Sequence, residues 1–219
     1  VLTDEQMQCI GAEMNLSETA FITLDKGDFV TANSFGLRWF TPATEVDLCG
    51  HATLASAAVL FKVLGNINDV ITFTSRSGPL MVNRFDETKI SLNFPENLPV
   101  SVVIVADESL IQDIQLSNTG KLLVRLKDNV QREVLEAMKP QIDRMIESDR
   151  TGLVKGVGVF RGSSWHTVAG PYFARELNKT RFYARQCSKR GGDLWVTLDD
   201  QRVILTGESA VVLQGTFLL

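Results

Sequence analysis

Leu48-Cys49-Gly50-His51 opens the stretch that decides the fold, because the run Ala52–Leu64 directly after it is almost entirely apolar. Its apolar side chains lie nearly all the way round a helix, so we expect this helix to be buried on every side. Strand-like segments precede and follow it, and strands that enclose one apolar helix give both kinds of element a buried face. The sequence therefore predicts an α+β fold built round a central helix.

The elements on either side of this helix are indicated by local patterns. Thr3-Asp4-Glu5-Gln6 is a capping-box pattern, which predicts a helix that ends near Asn15. Asp25-Lys26-Gly27 predicts a hairpin turn between two strands. The strands predicted in this part of the chain are Thr19–Leu24, Asp28–Asn33, Phe35–Thr41, Val70–Ser75, Pro79–Phe85 and Lys89–Phe94.

A domain boundary is predicted between Pro95 and Pro99, which divides the chain into domains 1–97 and 98–219. Beyond it, Gly162-Ser163-Ser164 leads into a second helix, His166–Leu177, as Gly50-His51-Ala52 leads into the first. This repeated pattern predicts two similar half-domains related by a pseudo-twofold axis. The alternative is that a short motif recurs by chance. The remaining predicted strands are Leu110–Leu116, Lys121–Leu126, Leu153–Phe160, Arg181–Cys187, Leu194–Leu198, Arg202–Thr206 and Ala210–Phe217, and the remaining helices are Asn129–Met138, capped by Asp128, and Gln141–Glu147.

Composition excludes several classes of protein. The chain has 219 residues, with 22 Lys and Arg against 26 Asp and Glu and a net charge of −4, so no nucleic-acid partner is expected. Its apolar runs are shorter than the roughly 20 residues that span a bilayer, so no membrane partner is expected. The three cysteines cannot all pair, which favours reduced thiols and a cytoplasmic location.

Each glycine-led helix start offers an anion site. The first N–H groups of a helix have no partner within it and lie at the positive end of its dipole. Two such ends could hold a small carboxylate substrate or stabilise an oxyanion that forms on it. The only two histidines, His51 and His166, fall in the first turns of these helices, and His51 could donate a hydrogen bond to substrate. The alternative is that each glycine ends a strand tightly and His51 is a packed side chain.

Glu18 and Cys49 are the candidates for reactive side chains. Glu18 lies between a helix end and a strand, and a carboxylate partly removed from water there could take and return a proton. Cys49 directly precedes Gly50 and could act as a base or nucleophile. The alternatives are a solvated loop carboxylate and a small buried apolar residue. Two histidines and scattered cysteines predict no metal site.

Four ordered blocks of the sequence resemble the PhzF family, the phenazine-biosynthesis-like proteins. The residues in these blocks are most similar to those of the eukaryotic branch. The blocks are Asn15-Leu16-Ser17-Glu18-Thr19-Ala20-Phe21, Phe35-Gly36-Leu37-Arg38-Trp39-Phe40-Thr41-Pro42, Cys49-Gly50-His51-Ala52-Thr53-Leu54-Ala55 and Arg185-Gln186-Cys187-Ser188-Lys189-Arg190-Gly191-Gly192. The resemblance implies the diaminopimelate-epimerase-like fold, in which two similar α+β domains each wrap strands round a central helix and the active site lies in the cleft between them.

The resemblance also implies roles for particular residues. PhzF isomerises a hydroxylated dihydroanthranilate by moving a proton, without cofactor or metal. The acid/base position of the family corresponds to Glu18, and the substrate-binding positions correspond to Gly50 and His51 in the first half and Gly162 and Ser163 in the second. The family resemblance further suggests a homodimer. Related epimerases have a catalytic thiol at the position of Cys49, but PhzF-like proteins use no thiol pair.

Two departures from the family pattern give an expectation about the chain itself. The family's first strand and its Gly-Asn-Pro turn should precede Val1. In the family, an Asp-Pro-Val-x-Gly-Ser stretch precedes the second helix. This sequence has Phe160-Arg161-Gly162-Ser163 there, without the Asp-Pro-Val residues. Consecutive Cα atoms lie about 3.8 Å apart across a trans peptide. If residues of this loop are absent from the numbering, two consecutively numbered Cα atoms will lie further apart than this. We expect such a gap between Gly156 and Ser163, and a true deletion of the loop is the alternative.

Three functions remain open at the level of sequence. The first is a cofactor-independent isomerase that moves a proton on a small carboxylate substrate through Glu18. The second is a catalytically inactive module that binds small molecules or proteins on the same fold. The third is a racemase that uses Cys49, which is weakened because Arg161 stands where the second thiol is needed.

Overall fold

The computed structural model describes residues 2–101, 109–139, 141, 144–145, 147, 149, 151–160, 166–187 and 191–215, without the side chains of 99–101 and 166–168. It divides into two compact units, of which the first comprises Val1–Asn93 with Thr206–Leu219 and the second Phe94–Leu205. The sequence places a boundary at 97/98 instead and assigns the C-terminal segment to the second half. That the halves are similar domains stays a prediction. No helix among the described residues is long and apolar enough to cross a membrane.

The first helix, α1 (Asp4–Met14), is confirmed with both of its caps. The Thr3 hydroxyl accepts from the Gln6 backbone N–H at 3.2 Å, and the Gln6 side chain accepts from the Thr3 N–H at 2.9 Å. Asn15 ends the helix in the left-handed region at φ 48°. A Cβ at Gly11 would lie 3.1 Å from the Cβ of Phe40, so glycine lets α1 lie close to the neighbouring strand.

The strands of the first unit form a sheet in the order β1-β2-β4-β5-β6, with β3 paired to β2. Their bounds are β1 Thr19–Thr23, β2 Ser34–Phe40, β3 Glu45–Val46, β4 Val70–Ser75, β5 Gly78–Arg84 and β6 Lys89–Pro95. The β1–β2 pair is antiparallel, with Thr19 opposite Phe40 and Ala20 opposite Trp39. The β2–β4 pair is parallel, whereas β4, β5 and β6 pair antiparallel. This register fixes the start of β1 against the end of β2.

Helix α2 (Gly50–Ala58) continues into one π-helical turn, Val59–Val63. The prediction that this helix is buried on every side is wrong. Its buried face consists mainly of small residues, namely Ala52, Thr53, Ser56, Ala57 and Ala58. His51, Ala55 and Val59 recur at helical spacing on an exposed stripe, so one alanine and one valine face water here. The Thr53 and Ser56 hydroxyls are satisfied within the helix, since they donate to the carbonyls of the residues four positions earlier.

Residues 28–33, predicted as a strand after a hairpin turn, form an irregular turn instead. One oxygen of the Asp28 carboxylate accepts the backbone N–H groups of Val30 at 2.8 Å and Thr31 at 2.9 Å. This local capping gives the backbone donors a partner inside the turn and removes the need for a strand ladder. The buried Asn66 side chain then holds the segment by donating to the carbonyls of Phe29 and Ala32. Strand β1 therefore pairs with β2 rather than with 28–33.

The second unit contains a sheet in the order β10-β9-β8-β7 and the antiparallel strands β11 and β12. The bounds are β7 Pro99–Ser101, β8 Ile111–Ser117, β9 Lys121–Leu126, β10 Gly156–Phe160, β11 Arg181–Arg185, β12 Asp193–Asp199 and β13 Arg202–Glu208, with helices α3 Arg132–Ala137 and α4 His166–Leu177. A Cβ at Gly170 would lie 3.4 Å from Val196, so α4 packs directly on β12. The core here includes Leu123, Phe160, Ala169, Tyr172 and Phe173.

Several predictions in this half need correction. Asp128 caps no helix, because α3 begins at Arg132 and the Asp128 carboxylate accepts from Arg125 at 3.3 Å. Residues 153–155 precede β10 rather than belonging to it. Residues 210–215 are not a strand, and Val212 is 91% exposed. Residues 142, 143 and 146 of the predicted helix 141–147, and residues 161–163 of the expected gap, lie outside the described residues.

Candidate active site

Glu18 lies at the junction between the end of α1 and the start of β1. Asn15 turns the chain in the left-handed conformation, and β1 begins at Thr19, directly after Glu18. The Glu18 side chain is 19% exposed, so its carboxylate is largely withdrawn from water. The alternative of a solvated loop carboxylate does not fit this burial, and a partly desolvated carboxylate lies where the functional interpretation needs one.

The structure brings Glu18 together with two residues from the start of α2. Glu18 Oε2 lies 3.0 Å from His51 Nε2. Cys49 Sγ lies 3.5 Å from His51 Nδ1, and the hydroxyl of Ser17 lies 3.3 Å from His51 Nε2. Cys49 is buried, whereas the His51 side chain is 68% exposed. The group is therefore accessible to a small molecule from the side of the histidine.

The backbone at the start of α2 adds hydrogen-bond donors to this group. Cys49 is the N-cap residue, with extended angles of φ −140° and ψ 110°, and its side chain makes no capping hydrogen bond. The first intrahelical bond runs from Thr53 N–H to the Cys49 carbonyl at 3.0 Å, so the N–H groups before Thr53 have no partner further back in the helix. These donors, at the positive end of the helix dipole, suit a carboxylate or a developing oxyanion.

Three buried polar atoms in this part of the first unit have no hydrogen-bond partner among the described residues: Glu18 Oε2, Thr19 Oγ1 and Trp39 Nε1. The contact of Glu18 with His51 is short enough for an ion pair, but its angles are not those of a hydrogen bond. Leaving a buried polar group unpaired costs about 1–3 kcal/mol. Unpaired atoms on Glu18 and on the β1–β2 ladder beside it are therefore typical of a site that a polar ligand completes.

An ion cluster fixes the strand that leads into this site. The Arg38 guanidinium donates to both carboxylate oxygens of Glu45, at 2.8 and 2.7 Å, and Arg76 reaches the same carboxylate at 2.6 Å. Hydrogen bonds from Arg38 to Glu45 and then to Asp4 raise the pKa of this guanidinium above its usual value. The cluster ties β3 to β2 a few residues ahead of Cys49. Arg38, which lies in the block Phe35–Pro42 that resembles the PhzF family, therefore has a structural role.

The sequence-predicted site residues fall into two groups. Glu18, Gly50 and His51 are described and lie together at the start of α2, with Gly50 as its first residue. Gly162 and Ser163 lie outside the described residues, and of His166 only its position at the start of α4 is given. The sequence carries no signal for the Trp39 N–H, because nothing in a tryptophan's neighbours reports whether its N–H finds a partner. The contact of Cys49 with His51 is likewise not predicted by the scattered positions of the cysteines.

Comparison with known families identifies the class of protein. The family model for phenazine biosynthesis-like proteins, PhzC-PhzF, matches residues 1–174. Phenazine biosynthesis-like domain-containing protein 2 of Mus musculus is 40% identical over 98% of this chain and 89% of its own. An uncharacterized isomerase of Pseudomonas aeruginosa is 37% identical over 98% of this chain and 87% of its own. The mouse alignment of 257 residues is longer than the 219-residue chain, so that relative carries residues with no counterpart here.

Solved structures agree with this classification. A putative phenazine biosynthesis PhzC/PhzF protein from Clostridium difficile superposes with a TM-score of 0.78 at 29% identity, covering 100% of this chain and 90% of its own. A PhzF-family protein from Enterococcus faecalis gives 0.76 at 34% identity, covering 95% and 85%. A hydroxyproline epimerase from Agrobacterium vitis, at 13% identity and a TM-score of 0.52, shares the fold alone, covering 87% and 71%. The fold is that of PhzF proteins and epimerases, and the chain belongs to the PhzF family.

Proposed function

We propose that this protein is an isomerase that moves a proton on a small carboxylate-bearing substrate, with Glu18 as the acid/base. The observation that supports it most is the Glu18 carboxylate, which is 19% exposed and whose Oε2 lies 3.0 Å from His51 Nε2 but has no hydrogen-bond partner among the described residues. A protein that had kept the fold only to bind a partner has no need of a desolvated carboxylate beside an uncapped helix start. The uncharacterized isomerase from Pseudomonas aeruginosa, at 37% identity, supports the same reaction class.

The chemistry follows from what each group can do. Glu18 removes a proton from a carbon next to a carbonyl or an unsaturated group and returns it elsewhere on the same molecule. Negative charge develops on the substrate, and His51 with the first N–H groups of α2, beginning at Gly50, stabilises that charge. On the family resemblance, Gly162 and Ser163 hold the rest of the substrate. A carboxylate on the substrate would bind at a helix start in the same way.

The test is Glu18→Gln, which keeps the shape of the side chain and removes its ability to accept a proton. A positioned acid/base contributes roughly 100- to 10,000-fold to rate, so we expect turnover to fall by that factor while the unfolding midpoint is unchanged. The measurement is isomerisation of a hydroxylated dihydroanthranilate in deuterated water, followed by mass spectrometry for solvent deuterium in the product. Glu13→Gln, on an exposed position of α1, is the matched control.

The outcomes separate the isomerase from its alternative. Full activity in Glu18→Gln would remove Glu18 as the acid/base. A wild-type protein that binds carboxylates but exchanges no proton with any of them would favour the inactive binding module. We extend the proposal to a homodimer, on the family resemblance, and sedimentation equilibrium measures this directly.

A further inference from the structure

Glu18, Cys49 and His51 bring three different metal-ligating atoms into one small volume. A carboxylate oxygen, a thiol sulfur and a ring nitrogen all lie within 4.8 Å of one another. Two histidines and scattered cysteines predict no metal site, and Glu18 is far from Cys49 and His51 along the chain. The fold brings the start of β1 next to the start of α2, so the donor set is judged by its geometry.

Two of the three separations are close to those that a tetrahedral zinc ion imposes, and the third, between Cys49 Sγ and the Glu18 oxygen, is within 4.8 Å. Zinc lies about 2.3 Å from sulfur and about 2.0–2.1 Å from nitrogen or carboxylate oxygen, which places neighbouring ligand atoms about 3.3–3.6 Å apart. Here His51 Nε2 lies 3.0 Å from Glu18 Oε2 and 4.0 Å from Cys49 Sγ. A shift of the imidazole by a few tenths of an ångström makes both separations match. The His51 side chain is 68% exposed and has room for that movement.

The chemistry of the three donors selects the kind of cation. A thiolate, an imidazole and a carboxylate together favour Zn²⁺ and its neighbours in the first transition row over Mg²⁺ and Ca²⁺, which prefer oxygen alone. A thiolate and a carboxylate also balance the two positive charges of the ion. The otherwise unpaired Glu18 Oε2 would gain a partner, and the exposed side of His51 leaves a fourth position to water.

We propose that Glu18, Cys49 and His51 form a three-ligand site for Zn²⁺, and that metal bound there blocks proton transfer by Glu18. Binding releases the Cys49 thiol proton to the buffer, since sulfur ligates as the thiolate. The first half of the proposal concerns binding alone. The second half rests on the proposed function, because it needs Glu18 to be the acid/base.

The binding test uses Co²⁺ as a spectroscopic substitute for Zn²⁺, in a Cys9→Ser/Cys187→Ser background. Those two cysteines are exposed and would otherwise bind metal on their own. We expect one Co²⁺ per chain, a thiolate-to-cobalt charge-transfer band in the near ultraviolet and the visible bands of tetrahedral cobalt. Stoichiometric Zn²⁺ should bleach both sets of bands, and excess Mg²⁺ should leave them unchanged.

Variants locate the ligands. Adding Cys49→Ser to that background should abolish the charge-transfer band and weaken Co²⁺ binding more than about tenfold. His51→Gln, at an exposed position, should weaken binding similarly and serves as the test if the buried Cys49→Ser variant fails to fold. A charge-transfer band that survives Cys49→Ser, unchanged affinity in His51→Gln, or the absence of a one-to-one complex would overturn the site.

Metal binding and the proposed isomerase function can each be refuted without the other. Cobalt binding is measured without substrate, so inactive Glu18→Gln protein and absent cobalt bands would leave the isomerase and remove the metal site. Cobalt bands together with undiminished turnover in Glu18→Gln would leave the metal site and remove Glu18 as the acid/base. If the metal site and the isomerase function are both confirmed, stoichiometric Zn²⁺ should inhibit wild-type turnover at least tenfold and a chelator should restore it. Zinc that binds without inhibiting overturns the second half.

Discussion

Buried polar atoms are arranged differently in the two units. In the second unit, the Tyr172 hydroxyl on α4 donates to Asp113 at 2.7 Å and accepts from Arg125 at 3.4 Å, and Gln115 donates to the same Asp113 carboxylate at 2.9 Å. In the first unit, Glu18 Oε2 and Thr19 Oγ1 have no hydrogen-bond partner among the described residues. Where the structure describes the second unit, Arg125 Nε and Asn97 Oδ1 are the buried side-chain atoms that lack a hydrogen-bond partner.

The difference separates a structural network from a reactive site. The Tyr172 hydroxyl, the Asp113 carboxylate and the Gln115 amide satisfy one another, which fixes their packing and leaves these groups little to offer a ligand, although Arg125 Nε beside them has no hydrogen-bond partner. Polar atoms left unpaired at the start of β1 destabilise the protein on their own and find partners only when something binds. Proteins depart from full polar satisfaction chiefly where function requires it. The comparison therefore supports assigning chemistry to Glu18 and structure to Tyr172.

Removing a satisfied hydroxyl should give the largest loss of stability in this comparison. Tyr172→Phe takes the hydrogen bond from Asp113 and one partner from the buried Arg125, so we expect the free energy of unfolding to fall by about 1–3 kcal/mol. Urea denaturation followed by circular dichroism measures it. A change within error would mean that the Tyr172 network contributes no net stability, and the contrast with the first unit would be lost.

The same hydroxyl should make stability depend on alkaline pH. Burial raises the pKa of Tyr172 to about 12, from a usual value of 10.0. Between these values the unfolded chain releases the tyrosine proton while the folded chain keeps it, so stability present below pH 10 is lost as pH rises towards 12. Urea midpoints from pH 9 to 11.5 should fall more steeply for wild type than for Tyr172→Phe. Parallel curves would contradict this.

Removing an unsatisfied hydroxyl should have the smallest effect. Thr19→Val deletes a buried oxygen that has no partner and keeps the shape of the side chain, so we expect a change between none and about 1 kcal/mol of added stability. Thr206→Val is the matched control, because the buried Thr206 hydroxyl lies 3.2 Å from that of Ser91, and it should cost about 0.5–1.5 kcal/mol. Equal losses in the two variants would show that Thr19 is satisfied after all.

What the sequence predicted well was determined locally. The capping box at Thr3 and the left-handed Asn15 need only neighbouring residues, and α1 has the predicted bounds. The strand predicted at 28–33 failed for an equally local reason, since the Asp28 carboxylate satisfies the backbone that a strand would have paired. Alternating apolar residues alone do not show which of these outcomes is more stable.

The candidate site depended on information of another kind. Glu18 and His51 were placed in one site by resemblance to a family, since no rule of spacing connects a loop carboxylate to a distant helix start. The contact of Cys49 with His51, the burial of Arg125 and the unpaired atoms of Thr19 and Trp39 depend on strand register and packing. A single sequence does not encode these distances in any local pattern.

The two tryptophans among the described residues give the units different optical signatures. Trp39 in the first unit is 1% exposed, whereas Trp195 in the second is 40% exposed and lies with its ring 6.0 Å from that of Tyr183. A buried indole fluoresces at shorter wavelength than a hydrated one, and a water-soluble quencher such as iodide reaches Trp195 first. Trp39 also belongs to the strand that pairs with the residues directly after Glu18. The emission of Trp39, isolated by subtracting the spectrum of a Trp39→Phe variant, therefore reports ligand or metal arriving at the site, and Trp165 and Trp195 account for the rest of the signal.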